Sequence, residues 1–181
     1  FGNDTWKGDS WKYGGAATWL TGTYDAETDT VYWPTGNPGP DMDGEVRRGD
    51  NLFSCSVVAL DGATGKRKWH YQFTPNDTHD WDANHVPVLA ELDWRGSERR
   101  VVMVANRNWF FYVLDRVTGE LLLGKPFTAT TWAREIGADG RPVLVPGMVP
   151  TPEGTTICPS SHGAANWYST NNSPGMCSTY T

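Results

Sequence analysis

The phrase Asp-x-x-Thr-Gly occurs twice in this chain between apolar runs, in VVALDGATGKRKW at 57–69 and in FYVLDRVTGELLL at 111–123. YDAETDTVYW at 24–33 is a looser third copy. The Asp and Thr side chains can hydrogen-bond the local backbone, and the glycine can take the left-handed conformation a tight turn demands. Each copy therefore reads as strand, turn, strand. Such a unit, recurring with an aromatic or apolar residue at a fixed offset, points to a β-propeller in which each copy is an outer hairpin of one blade. A sandwich would also use short strands, but it has no need of the same turn at every repeat. The other apolar runs, among them RRVVMVA and TVYWPTG, are equally short and bounded by turn residues. With twenty Gly and twelve Pro in 181 residues, long helices have little room. The fold class expected is all-β.

Partners are narrowed by charge and hydropathy. Fifteen basic against twenty-one acidic residues give a net charge of −6 with no basic stripe, which argues against nucleic acid as a partner. No apolar stretch is long enough to span a bilayer as a helix. Cys55, Cys158 and Cys177 are too few for a disulfide scaffold and lack metal-site spacing; Cys158 and Cys177 either pair in an oxidising compartment or stay free. The opening FGNDTWKGDSWKYGG and the closing NNSPGMCSTYT read as turns without strand partners, so the chain is expected to be an interior piece of a longer propeller.

Four stretches could carry chemistry. In THDWDANH at 78–85, an extended backbone would put Asp80 and Asp82 on one face and Trp81 on the other. Two carboxylates so close favour a shared cation, or protonation of one of them, over two free charges. The bland alternative is a solvated turn beside Asn76, Asp77 and Thr78. In TGNPGPD at 35–41, Asn37 stands between Gly and Pro, where a rigid backbone can aim an amide oxygen at a hard cation; an ordinary Asn-Pro turn is the alternative. In GGAATW at 14–19, small residues lead to Trp19, whose indole can stack on a flat molecule or simply fill a core. In NRNWFFYVLD at 106–115, Arg107 precedes an apolar strand, placed either to meet an oxygen-rich planar anion or as a surface charge.

In order and nearly end to end, the runs GGAATWLTGTYD, VYWPTGNPGP, RRGDNLFSCSVVALDGATGKRKWHYQFTPND, HDWDANHVPV, NRNWFFYVLDRVTGELL and CPSSHGAANW resemble the middle of the pyrroloquinoline quinone (PQQ) dependent alcohol dehydrogenases of the methanol and ethanol type. The resemblance implies a partial eight-bladed propeller, about three to four blades of four-stranded antiparallel sheets, with residues 1–181 a fragment of one such domain. It also implies PQQ and a metal ion on the axis. Trp19 then matches the residue on which PQQ stacks, Asn37 a metal ligand through its amide oxygen, and Asp80 the catalytic base at the metal. Arg107 matches the arginine at the quinone oxygens, and Asn166 a contact to the PQQ edge. Ala17 stands where some members have threonine, and N-R-N-W differs from the family's D-R-N-G. Asp82 is the informative position: calcium-type members carry a small residue there and lanthanide-dependent relatives a second aspartate, so a lanthanide is expected, with Ca²⁺ as the alternative.

The implied reaction is oxidation of a primary alcohol to an aldehyde in the periplasm, with electrons passing to a cytochrome c. A homodimer is compatible with the resemblance. The fragment alone is expected to have little activity, because other ligands of the family's site lie outside it. A non-catalytic propeller scaffold and a PQQ sugar or polyol dehydrogenase are the competing readings. His79, His85 and His162 have no zinc-site spacing and are expected to be structural or solvated.

Overall fold

In the computed structural model, residues 1–173 and 178–180 are described. Twelve strands are found among them: β1 Thr23–Asp25, β2 Thr30–Pro34, β3 Ser56–Asp61, β4 Arg67–Gln72, β5 Val88–Trp94, β6 Ser97–Ala105, β7 Phe110–Asp115, β8 Leu121–Pro126, β9 Ala133–Ile136, β10 Pro142–Leu144, β11 Asn171–Ser173 and β12 Ser178–Tyr180. They form two four-stranded antiparallel sheets, β1-β2-β3-β4 and β5-β6-β7-β8, and two antiparallel pairs, β9–β10 and β11–β12. Helical structure among the described residues amounts to three single-turn 3-10 segments, at Asn3–Thr5, Ser10–Lys12 and Glu45–Arg47.

The turn chemistry read from the repeats is present atom by atom. Asp61 Oδ1 accepts the Thr64 N–H and hydroxyl at 2.9 and 2.6 Å, and Gly65 follows with φ +67°. Asp115 Oδ1 accepts the N–H groups of Val117 and Thr118, both at 3.0 Å, and Gly119 follows with φ +77°. In the looser copy Asp25 accepts the Glu27 N–H and the Thr28 hydroxyl, and Asp29, at φ +44°, replaces the glycine. That third copy does not begin another blade: it is the β1–β2 hairpin of the sheet whose far hairpin is the first copy. Turn chemistry reports a tight reversal and is blind to which two strands of a sheet it joins.

The fixed aromatic offset has a packing cause. Trp69 of β4 lies over the next sheet's turn, so close that a Cβ on Gly119 would sit 2.7 Å from its ring. Its indole N–H donates to the Arg116 carbonyl at 3.3 Å, and the Tyr32 hydroxyl donates to the same oxygen at 2.8 Å. Between the sheets lies a core of Tyr32, Val57, Phe73, Trp81, Phe110, Tyr112 and Trp132. Strand β5 neighbours both β1 and β11, so the leading strands converge as they do around a propeller axis. The polar stretch Asn171–Ser173, expected to be turn, is a strand because its ladder is made by backbone rather than by apolar side chains. Antiparallel alternation sends the β1–β2, β3–β4, β5–β6 and β7–β8 turns to one end of the sheets. The β2–β3, β4–β5 and β6–β7 connections go to the other end, where the candidate residues lie.

Candidate active site

Asn37 is held by a short antiparallel pairing of residues 14–17 with 36–39: Ala16 N–H donates to the Asn37 carbonyl at 2.7 Å, Gly36 N–H to the Ala17 carbonyl at 2.9 Å, and Gly39 N–H to the Gly14 carbonyl at 2.7 Å. The Asn37 backbone N–H donates to Asp82 Oδ1 at 3.0 Å. Its side-chain Nδ2 donates to Asp41 Oδ1 at 2.8 Å. Because an amide's two ends diverge, that bond turns the Asn37 carbonyl oxygen away from Asp41.

Residues 80–82 are loop, not strand, and Asp80 is left-handed at φ +61°. The expectation of an extended backbone is corrected here. The β4–β5 connection is shaped by Asp77, whose carboxylate accepts the N–H groups of His79 and Trp81 and so imposes a turn. The sidedness holds nonetheless. Trp81 is fully buried, its indole N–H bonded to the Ser160 carbonyl at 2.9 Å and its ring stacked on His79 at 4.2 Å, while Asp80 and Asp82 are partly exposed. The Asp80 carboxyl is pushed up to about 6 by burial first, then by the charges of Asp41 and Asp82, with Arg107 opposing.

Arg107, in the β6–β7 turn, is buried rather than a surface charge, and it ties the loops together. It donates to the Asp80 carbonyl at 3.0 Å through Nη1 and to Asn166 Oδ1 at 2.8 Å through Nη2, and it stands 3.5 Å from the Asp82 carboxylate. Its buried Nε has no partner among the described residues. Asn37, Asp80, Asp82, Arg107 and Asn166 thus form one contiguous cluster. Trp19, two residues past Ala17, is 44% exposed and has no hydrogen bond or ring contact to the cluster among the described residues. Among them, too, no three His, Cys, Asp or Glu residues converge as a metal set; the cluster offers two carboxylates and an amide oxygen.

Such donors suit a hard cation, and the raised Asp80 marks a place where positive charge is wanted. The Arg107 Nε, without a partner among the described residues, and the partly exposed indole of Trp19 suit a flat, oxygen-rich group. The residues present therefore fit a metal ion and a planar quinone.

Residues 2–127 match the PQQ family described as the glucose/ethanol/alcohol dehydrogenase β-propeller domain. The chain belongs to that family.

Relatives of this quinoprotein propeller include the quinohemoprotein alcohol dehydrogenase ADH IIB of Pseudomonas putida, 45% identical over 94% of this chain and 26% of that protein. The lanthanide-dependent methanol dehydrogenase of Methylacidiphilum fumariolicum (strain SolV) is 40% identical over 90% of this chain and 27% of that protein. A solved europium-containing methanol dehydrogenase superposes with TM-score 0.94 at 38% identity, over 98% of this chain and 31% of that one. The chain thus spans about a quarter of the length of the curated relatives it matches.

Sequence reasoning missed three residues of the site. Asp77 and Arg47 are buried below the cluster, and Asn84, also buried, donates to the Ala17 carbonyl at 3.1 Å. Asn84 lies inside THDWDANH, and Arg47 and Asp77 at the two ends of the run from RRGDN to TPND; only that placement could have flagged them. His79 and His85 are built into the protein: His79 Nε2 lies 2.8 Å from the Met148 carbonyl and His85 is buried. Cys55 is buried and Cys158 exposed, and the two are not joined to each other; Cys177, and with it the expected choice between a Cys158–Cys177 pair and free thiols, lies outside the described residues.

Proposed function

We propose that this chain, a fragment of one propeller domain, is part of a PQQ- and metal-dependent dehydrogenase that oxidises a primary alcohol to its aldehyde in the periplasm, is compatible with a homodimer, and passes electrons to a cytochrome c. What supports the reading above all is the meeting of Asn37, Asp80, Asp82, Arg107 and Asn166 from four separate connections. A scaffold propeller would have no use for that meeting.

Asn37 through its amide oxygen, and Asp80 and Asp82 through their carboxylates, would hold the metal. Trp19, Arg107 and Asn166 would hold the quinone. Bound there, the pair supplies a two-electron acceptor and a Lewis acid. Asp80 Oδ takes the substrate hydroxyl proton as general base. The Arg107 guanidinium, fixed on the Asp80 carbonyl and on Asn166, presents its remaining donors to negative charge growing on an acceptor oxygen. Asp82 adds a second acid beside Asp80, which suits a trivalent lanthanide better than Ca²⁺.

Reconstitution of the full-length protein with PQQ plus La³⁺ or Ca²⁺, followed by dye-linked alcohol oxidation, tests the reading. Turnover of primary alcohols, faster with La³⁺ and lost at least a hundredfold in Asp80→Asn, is expected. A folded protein inactive with both ions would favour the scaffold, and preference for sugars would favour the polyol enzyme.

A further inference from the structure

Asp80 carries its functional carboxylate on a left-handed backbone in a loop without regular structure, and such a conformation persists only where its surroundings impose it. They do so through a buried pair that lies outside the four stretches singled out for chemistry. Asp77 is 1% exposed and spends both carboxylate oxygens on the residues flanking Asp80: Oδ1 accepts the His79 N–H at 3.1 Å and Oδ2 the Trp81 N–H at 2.9 Å. Arg47 is fully buried and reaches the same place from the other side. Its Nη2 donates to the Asp77 carbonyl and, at 3.1 Å, to the Asp41 carbonyl; Nε donates to the Pro40 carbonyl at 3.1 Å and Nη1 to Asn51 Oδ1 at 2.8 Å.

One guanidinium therefore fastens the loop that carries Asn37 and Asp41 to the loop that carries Asp80 and Asp82. A knot of amides backs it. Asn51 Nδ2 donates to the Arg47 carbonyl, and Asn76 Nδ2 donates to the Gly49 carbonyl at 2.8 Å. A buried guanidinium is costly unless its donors are satisfied. Its planar fork can bind acceptors on two chain segments at once, which the single ammonium of lysine does poorly.

We propose that Arg47 and Asp77 are positioning residues that fix the separation of the Asn37 amide from the Asp80–Asp82 carboxylates and thereby set the affinity of the site for a trivalent cation. The inference rests on the functional reading above. It differs from a merely structural role in one respect: losing the pair changes the site more than it changes the fold.

The test is terbium luminescence titration of the metal-free full-length protein, alongside urea unfolding, for wild type, Asp82→Asn, Asp77→Asn, Arg47→Lys and Asp115→Asn. Asp77→Asn keeps the shape and one acceptor but loses one of the two backbone bonds. Asp115→Asn weakens a turn cap at the far end of the sheets, away from the cluster: it keeps the Oδ1 acceptor of the Val117 and Thr118 N–H groups but loses the carboxylate charge and the Oδ2 acceptor of Arg99. Terbium affinity is expected to fall about tenfold or more in Asp77→Asn and Arg47→Lys and to stay at the wild-type value in Asp115→Asn, even where stability falls equally. Wild-type affinity in a folded Asp77→Asn or Arg47→Lys, or equal losses in Asp77→Asn and Asp115→Asn, would overturn the proposal. If neither variant folds, amide exchange in wild type decides: slowing at His79 and Trp81 on terbium binding is expected, and unchanged rates count against it. Asp82→Asn separates the two levels. Unaltered affinity there sinks the metal site itself, whereas impaired Asp82→Asn with unimpaired Asp77→Asn sinks only the positioning role.

Discussion

At the scale of single residues the site depends on close approach as much as on charge. Gly36 shows this most directly, because a Cβ there would sit 2.4 Å from Asp82 Oδ1, 3.0 Å from Asn84 Nδ2 and 3.1 Å from the Ala17 carbonyl. Asp82 is already tethered to the Asn37 N–H and faces Arg107, so it has little freedom to retreat. Gly36→Ala is expected to cost about 1–3 kcal/mol in urea unfolding through overpacking, and to lower terbium affinity at least tenfold; a variant that keeps wild-type affinity would show that Asp82 moves freely. In the sequence, the residues proposed to present a side chain to a ligand were flagged by T-G-N-P and D-W-D, which place special residue types side by side, and their roles came from the resemblance. The residues that hold them were not. Asn76-Asp77-Thr78 reads as wet turn chemistry, and Asp77 does cap backbone N–H groups, but it does so while buried. Burial of a polar loop residue is decided by what packs over it from elsewhere in the chain, and no local pattern carries that.

At the scale of elements the repeated turn does two jobs, and its two glycines separate them. Gly65 and Gly119 occupy the same position of the repeat, at φ +67° and +77°, but a Cβ on Gly65 meets nothing within 4 Å while one on Gly119 would strike the Trp69 ring at 2.7 Å. Gly65→Ala is expected to cost only the left-handed penalty, about 1–2 kcal/mol. Gly119→Ala should cost roughly 2–3 kcal/mol more, because the indole that docks one sheet on the next must shift. Urea unfolding of the two variants gives the difference, and equal losses would mean that Trp69 does not dock there. The strands themselves were legible from alternation and turn residues. The β11–β12 pairing was not, since a ladder formed by backbone alone leaves no apolar trace, and the third turn copy fell within a sheet already counted because a reversal looks the same between any two neighbouring strands.

At the scale of the whole molecule, alternation of strand direction divides the labour. Asp-x-x-Thr-Gly turns hold one end of the sheets, and the longer connections at the other end are free to carry polar, left-handed and buried charged residues. That division has a cost which pH can reveal. His85 is 2% exposed at the end that carries the candidate site, and burial first, then the charge of Arg107, pushes its imidazole down to about 4 from the ordinary 6.5. The folded protein thus keeps His85 neutral over a range in which the unfolded chain protonates it. Its contribution to stability is fully present above pH 6.5 and is lost as pH falls towards 4, by about 3 kcal/mol in all. Carboxylates titrate over part of the same window, so wild type alone would not isolate the effect. The comparison with His85→Gln does: the unfolding free energy of wild type minus that of the variant is expected to shrink by about 3 kcal/mol between pH 7 and pH 4. A difference flat with pH would mean that the imidazole reaches solvent and protonates without unfolding, which the packed connections at this end do not allow.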